Sequence, residues 1–432
     1  MKERLSAFYH KDGTIKLLSS LLSIVIGLVV GGIIVLFVGL GNETIGTSGA
    51  WEGLRLIFAG ILSTGRSAAG ALTWGFNPAN VGNMLFRAVP LIMTGLSVAV
   101  AFKTGLFNIG APGQYLMGTM VTLVIALGIP HGVLPGWIVW LLAFLGGIAA
   151  GAVWGAIPGL FKAMLNINEV IACIMTNWIA ANVVTWVFDG SPFRNLVENT
   201  KSGYIYKTTY GFTVADGARV YQDGLGVATP KLGLDKVFPG SQINAGILIA
   251  LVFAVAMYIL MNKTTLGYEL KACGANRHSA RYAGIADKRN IVLSMAIAGG
   301  LAAAGASLYY LSGNTEFFWT TYQSLPGEGF NGIPVALLAL NNPIGVIFSG
   351  IFMAMLDIVG LQLTNLTAYN EFITDVIIAI IVYLSAFSLV IRMFLTGRRK
   401  KPENSKVTGE PLPPPPDEKK PKADTVKGGE DA

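Results

Sequence analysis

The polar side chains best placed to act on a ligand sit where the apolar pattern of this chain breaks. Asn108 and Gln114 lie in the run Gly105-Leu106-Phe107-Asn108-Ile109-Gly110-Ala111-Pro112-Gly113-Gln114, where three Gly and one Pro interrupt a hydrophobic stretch. Gln323, Phe330 and Asn331 lie in a second break, Tyr322-Gln323-Ser324-Leu325-Pro326-Gly327-Glu328-Gly329-Phe330-Asn331-Gly332. Asn177 stands in a third apolar stretch, eight residues after Glu169 and on the same helical face, with Cys173 between them. An amide offers both a donor and an acceptor, so each of these can hydrogen-bond a neutral polar ligand or a neighbouring helix. A broken backbone at membrane depth is tolerated only where protein or water covers it, so such breaks point either to a permeation path or to tight packing. Glu169 follows Asn168 at a predicted helix start, where a carboxylate suits the positive dipole end, and capping is its expected role.

Other chemistries are missing. The three histidines, His10, His131 and His278, have no metal-ligand partner at useful spacing, so no metal residue is assigned. No G-x-x-x-x-G-K-[ST] phosphate loop is present, so the chain cannot hydrolyse ATP by that route; no catalytic residue is assigned, and the protein is not expected to be an enzyme. Cys173 and Cys273 suggest no disulfide framework. The apolar stretches carry no row of paired Asp, Glu, Arg and Lys, which argues against a proton- or ion-driven relay.

The elements that must hold these residues are membrane helices. Over 432 residues, 53% are apolar and 13% charged, and the mean hydropathy is +0.58; a soluble domain carries nearly twice that charge fraction, ~25%. The predicted fold is an all-α, polytopic transmembrane bundle of about ten spans with broken or re-entrant segments. Spans are expected near 17–40, 84–102, 115–129, 137–161, 170–188, 243–261, 290–311, 330–340, 344–363 and 373–395, within a transmembrane region over 17–395. The stretch 330–340 is shorter than a normal span and can continue a re-entrant loop starting near Phe317. Of the 53 glycines, Gly146, Gly147, Gly151 and Gly155 place small residues along one helix face, which suits close packing in lipid.

The net charge of +7 is clustered at loop ends and reports topology rather than nucleic-acid binding. Lys103, Lys162, the 262–289 loop and Arg398-Arg399-Lys400-Lys401 fall on the side of the basic N-terminus, residues 1–16, so both termini are expected in the cytoplasm. Residues 189–242 form the expected extracytoplasmic loop, and 45–80 hold either an interfacial amphipathic helix or a packed loop helix. Residues 396–432, with Pro413 to Pro416 and few large apolar residues, read as a disordered cytoplasmic tail.

The 262–289 loop holds Lys263, Lys271, Arg277, Arg281, Lys288 and Arg289 against Glu269 and Asp287. Asn276 is a good N-cap, 277–283 fit two helical turns and Gly284 is a suitable stop. With Tyr282 and Ile285 as apolar knobs, such a helix suits docking to a cytoplasmic partner; a solvated loop held at lipid headgroups is the other reading.

The run Thr265-Leu266-Gly267, Ala272, Gly274-Ala275-Asn276, Ala280 and Gly284 resembles the ATPase-coupling segment of ABC-importer permeases of the sugar, nucleoside and branched-chain amino acid branch. Three further stretches share the resemblance: Gly105 to Gly110 with Gly113-Gln114; Asn168 to Ile171 with Ile174, Met175 and Asn177; and Gly329-Phe330 through Val335 and Leu338 to Asn342-Pro343 and Gly345. It covers about 84–395 and is nearest to nucleoside, guanosine-type permeases. Pro112 stands where relatives often have an acidic residue, and Pro334 and Ala339-Leu340 also depart from the usual pattern. The resemblance implies a multi-pass subunit of the bacterial cytoplasmic (inner) membrane, in contact with lipid. Its expected partners are a second homologous permease, cytoplasmic ATP-binding subunits and an extracytoplasmic substrate-binding lipoprotein or soluble protein. No cofactor is expected in this chain, with ATP and Mg held by the ATPase. On that reading Asn108, Gln114, Asn177, Gln323, Phe330 and Asn331 line the substrate pathway, where amides bond a sugar or base and Phe330 stacks. A ribose-type sugar permease is the near alternative, and a stand-alone secondary transporter the distant one.

Overall fold

Asparagine caps start three of the long apolar helices, two of them with proline as the next residue. Asn77 Oδ1 accepts from the Asn80 amide at 3.1 Å with Pro78 in the first turn. Asn342 Oδ1 accepts from Ile344 N at 3.0 Å ahead of Pro343, and Asn168 Oδ1 from Val170 N at 2.9 Å. Each satisfies an amide that the helix leaves unpaired, and proline there loses nothing because its missing N–H would be an orphan. The computed structural model describes residues 12–195, 200, 203–370 and 372–386. The N-terminal residues 1–11, the tail 396–432 and its proline run lie outside the described residues.

In chain order the elements are α1 (Asp12–Leu40), α2 (Gly46–Ala59), β1 (Ser63–Arg66), β2 (Leu72–Trp74), α3 (Pro78–Lys103), α4 (Ala111–Gly128), α5 (Gly136–Leu165) and α6 (Glu169–Phe188). There follow β3 (Tyr204–Ile205), β4 (Tyr210–Ala215), β5 (Ala218–Asp223), α7 (Leu234–Val237), α8 (Gly246–Lys263), α9 (Thr265–Ala275), α10 (Arg277–Tyr282) and α11 (Asp287–Tyr310). The last are β6 (Phe317–Phe318), α12 (Gly327–Leu338), α13 (Pro343–Leu366) and α14 (Phe372–Ala386). The fold is mostly helical. Among the described residues, seven helices, α3, α4, α5, α6, α8, α11 and α13, are long and apolar enough to cross a membrane by length and composition. The described apolar stretch Val25–Leu40 of α1, and α12 and α14, are shorter.

Burial sorts these helices into layers. The apolar windows of α3, α4 and α11 are 83, 78 and 78% buried inside the chain, against 28% for α5 and α8. Small residues explain why α11 can lie at the centre. A Cβ added to Gly151 of α5 would lie 2.5 Å from Gly299 O, and one on Gly155 would come close to Met295 O, so the two backbones touch along a seam. In lipid, where helices gain nothing from leaving water, such close van der Waals packing and hydrogen bonding hold them together. Beside this seam, the hydroxyls of Thr122 of α4 and Ser307 of α11 pair at 2.8 Å.

At one end, here called the cap end, the described residues of 189–242 fold over the bundle. β3 pairs antiparallel with β6 (Tyr204 with Phe318, Ile205 with Phe317), and β4 with β5 as a hairpin. Tyr206 stacks on Tyr221 with centroids 4.6 Å apart, and Phe188 meets Phe317 at 5.6 Å. The opposite, basic end carries α9 and α10. Within 45–80, α2 buries one face through Ala50, Gly53, Leu56 and Ile57, while Trp51 and Phe58 stay exposed. The β1–β2 hairpin beside it is tied down by Arg66, which pairs with Glu52.

Candidate functional site

The two breaks in the sequence come together. A Cβ added at Gly329, in the first turn of α12, would lie 2.5 Å from Pro112 Cα in the first turn of α4; a Cβ at Gly332 would lie 2.7 Å from the Thr94 carbonyl carbon of α3. Twelve residues of α12 make a rod of only ~18 Å, against a hydrocarbon core of ~30 Å. Non-helical chain leads into it, because Phe317–Phe318 are anchored in the cap and helix resumes only at Gly327.

Behind that contact lies a closed set of amides. Asn108 and Gln114, both essentially fully buried, bond reciprocally: Asn108 Nδ2 donates to Gln114 Oε1 at 2.8 Å, and Gln114 Nε2 donates to Asn108 Oδ1 at 3.0 Å. Asn108 Nδ2 also donates to Ser97 Oγ at 3.0 Å. Asn177 of α6 accepts from Gly113 N at 2.9 Å and donates to Ile109 O at 3.0 Å, clamping both ends of the turn before α4. In this arrangement Asn108 and Gln114 satisfy each other, and Asn177 satisfies the freed backbone, as a break inside a membrane requires. The other three sequence candidates sit on the α12 side. Phe330 is 38% exposed, Asn331 and Gln323 are half-buried, and Gln323 Oε1 is buried without a hydrogen-bond partner.

The helix expected over 277–283 forms as α10, and α9 precedes it as a second helix that the spacing does not predict. Thr264 Oγ1 caps α9 at Gly267 N, 3.1 Å, and Asn276 Oδ1 caps α10 at Ser279 N, 3.0 Å. Gly284 follows α10 at φ +80, a conformation that suits glycine. Gly267 is packed against the Met261 backbone, and Leu266 half-buried beside it; Ala280 is buried, while Thr265, Ala275 and Asn276 are exposed and Ala272 half-buried. Tyr268 and Tyr282 stand out, 69 and 94% exposed.

Gly274 makes the contact that ties this end to the amide set. An added Cβ would lie 2.6 Å from the Thr104 carbonyl carbon and 2.7 Å from Gly105 N, and Gly105 itself has φ +70. Backbone thus touches backbone where the first break begins. Two further ties hold α9 and α10 to the start of α11. Arg277 Nε donates to Asp287 Oδ2 at 2.6 Å and Arg281 to the same carboxylate at 3.1 Å. Glu269 accepts from Arg289 and from Asn290, each at 3.0 Å. Asn290 also lies over Cys273, whose thiol pKa burial pushes up from its ordinary value.

Some of these roles are invisible in the sequence. Glu169 pairs with Lys162 at 3.0 Å across the α5–α6 turn, which adds to its place at the start of α6. Asp287 reads there as one of two acids in a basic loop, yet it gathers two arginines from preceding turns. Arg87, not among the site residues expected from the sequence, falls inside the predicted 84–102 span, where a charge is itself a signal.

A bundle of long apolar helices, with two interrupted segments packed together inside and a short charged helix pair at one end, defines a multi-pass membrane permease. The chain belongs to the family described as branched-chain amino acid transport system / permease component, which matches residues 80–385. It is 32% identical over 385 residues to the guanosine ABC transporter permease protein NupP of Bacillus subtilis, covering 89% of this chain and 97% of that one. It is 33% identical over 400 residues to the nucleoside ABC transporter permease protein NupB of Lactococcus lactis, covering 92 and 98%. The glucose ABC transporter permease protein TsgB13 of Haloferax volcanii is 30% identical over 321 residues, covering 73 and 78%. No solved structure matches.

Proposed function

We propose that this chain is the permease subunit of an ATP-driven importer and forms the pathway by which nucleosides cross the cytoplasmic membrane. The observation that carries this is near end-to-end similarity to two nucleoside permeases at 32 and 33% identity. The chain crosses ten times, with α1, α12 and α14 completing the count and both termini in the cytoplasm. The basic end faces the cytoplasm, and the cap faces a substrate-binding lipoprotein or soluble protein outside. Thr265, Leu266, Gly267, Ala272, Gly274, Ala275, Asn276, Ala280 and Gly284 form the segment that docks on the ATPase, which supplies ATP and Mg. A second, related permease completes the pathway; the chain's weaker similarity, 22% identity, to NupQ of Bacillus subtilis supports such a pairing.

Closure of the ATPase pushes α9, and Gly274 passes the movement to Gly105 and the turn before α4. Gln323, Phe330 and Asn331 face the pathway from α12 and its approach. Asn108, Gln114 and Asn177 join them when that turn and α12 part. ATP favours one access state only through contacts that differ between states, and the backbone contact at Gly274 is suited to that. Copurification on the tagged chain tests this reading. A stoichiometric ATPase, lost on changing Gly274 and Ala275 to bulky residues, together with ATP-dependent uptake of tritiated guanosine, is the expected result. Transport by this chain alone would leave a secondary transporter instead. The glucose permease relative, 30% identical, keeps a sugar as the second substrate reading, and competition by ribose or glucose against guanosine decides it.

A further inference from the structure

α3 and α13 pass antiparallel and touch at two levels. Near the cap end Gln362 Nε2 donates to Asn80 Oδ1 at 3.2 Å. Deeper, a Cβ added at Gly350 would lie 2.6 Å from Ile92 Cγ1. Arg87 lies between these contacts, seven residues past Asn80 and five short of Ile92; Asp357 lies seven past Gly350 and five short of Gln362. At ~1.5 Å per residue the two charged side chains leave facing helices within about 3 Å of the same depth. α12 adds a third charge. Gly332 presses on Thr94; Glu328 lies one turn before Gly332, and Arg87 two turns before Thr94, on the matching faces. Asp357 interacts electrostatically with both Arg87 and Glu328.

Two tyrosines lie close to the same charges. Tyr309 stacks on Phe86, with centroids 5.3 Å apart, and interacts with Glu328, Arg87 and Asp357. Tyr115 of α4 is 1% exposed, its hydroxyl has no hydrogen-bond partner among the described residues, and it interacts with Glu328 and Tyr309. Arg87, Asp357 and Glu328 are half-buried, and none makes an ion pair or hydrogen bond with another described residue. Charges kept only for stability are held in pairs with their remaining hydrogen bonds filled. Within membrane helices, charges that are not so paired mark a substrate or ion path.

Building on the nucleoside reading above, we propose that Arg87, Asp357, Glu328, Tyr115 and Tyr309 form a recognition site for a neutral nucleoside in the cap-side half of the pathway. The carboxylates of Glu328 and Asp357 accept from the vicinal ribose hydroxyls. The Arg87 guanidinium donates to ring-nitrogen or carbonyl acceptors on the base, and the Tyr115 hydroxyl finds in the ligand the partner it lacks in the protein. Two carboxylates against one guanidinium disfavour a phosphate, so nucleotides are excluded.

The test is uptake by the whole importer of tritiated guanosine and of its tritiated 2′,3′-dideoxy analogue, with guanosine monophosphate as competitor. A site built to bond hydroxyls rejects an analogue lacking them, so the wild type should favour guanosine by at least about 100-fold and ignore the nucleotide. Glu328→Gln and Asp357→Asn, and the shape-altering Glu328→Asp and Asp357→Glu, should each shrink that ratio by about tenfold or more, through a larger KM for guanosine. A ratio unchanged in all four variants, or equal loss of both substrates while the ATPase still copurifies, overturns the site and leaves a structural role. A wild-type importer that takes up no nucleoside overturns the substrate reading itself, before any variant is compared.

Discussion

Single residues decide whether the inner break holds its shape. Asn177 bonds two backbone groups of the turn before α4 and nothing replaces it there. Asn177→Ala leaves Gly113 N and Ile109 O unpaired in a dry site, which costs about 1–3 kcal/mol; melting of the purified protein in detergent should show the loss, while Asn182→Ala, on the exposed side of the same helix, should leave the melt unchanged. Gly274 acts by having no side chain. Gly274→Val forces α9 from the Thr104–Gly105 backbone, and overpacking of this kind costs about 1–3 kcal/mol. The expected signature is ATP hydrolysis that no longer responds to substrate, read against uptake in the same vesicles.

At the scale of elements, the α5–α11 seam and the helices of the basic end carry different burdens. On the seam, backbone approaches backbone at Gly151, Gly155 and Gly299. Gly155→Leu cannot be absorbed by a flexible neighbour, because the atom it meets is a carbonyl oxygen. Folded yield and detergent melting should both fall sharply, whereas Gly132→Ala, on an exposed turn where an added Cβ meets nothing, should cost far less despite its φ of +86. At the basic end Asp287 holds α10 through two arginines. Asp287→Ala frees both and leaves α10 without its tether, at about 1–3 kcal/mol. Tyr282 is 94% exposed among the described residues, so Tyr282→Ala should leave the melt alone; both variants should lose copurifying ATPase.

Across the whole molecule the two ends differ in chemistry, and that difference can be read by labelling. Cys173 and Cys273 are buried, so a cysteine placed at Tyr282 or at Val214 on the cap hairpin, both exposed, reports against a low background. A membrane-impermeant maleimide should reach Tyr282→Cys only in inside-out vesicles and Val214→Cys only in right-side-out ones. The opposite pattern would invert the orientation. Burial raises the Cys273 pKa, so less thiolate is present at neutral pH than for an ordinary thiol. Its alkylation should be slow at pH 7, climb through and beyond the ordinary thiol range, and speed up if nucleotide binding lifts α9.

Much of the helical plan is written along the chain. Helices occupy the long apolar stretches, Asn276 and Gly284 bound α10, and the breaks at Gly105–Gln114 and Gly327–Gly332 stand out by their Gly and Pro. Apolar length, capping and backbone interruption are local quantities, set by a residue and its near neighbours, so one dimension is enough to see them. The partners of the amides are not local. Asn108 could bond a ligand or Gln114, and only the packing of α4 on α6 brings Asn177 to the same turn. The meeting of Gly329 with Pro112, of Gly274 with Gly105, and of Arg87 with Asp357 and Glu328 joins residues more than 160 positions apart. Those pairings follow from the depth and rotation at which whole helices settle against each other. Close backbone approach at a few glycines fixes that register, and it exists only once the bundle is assembled.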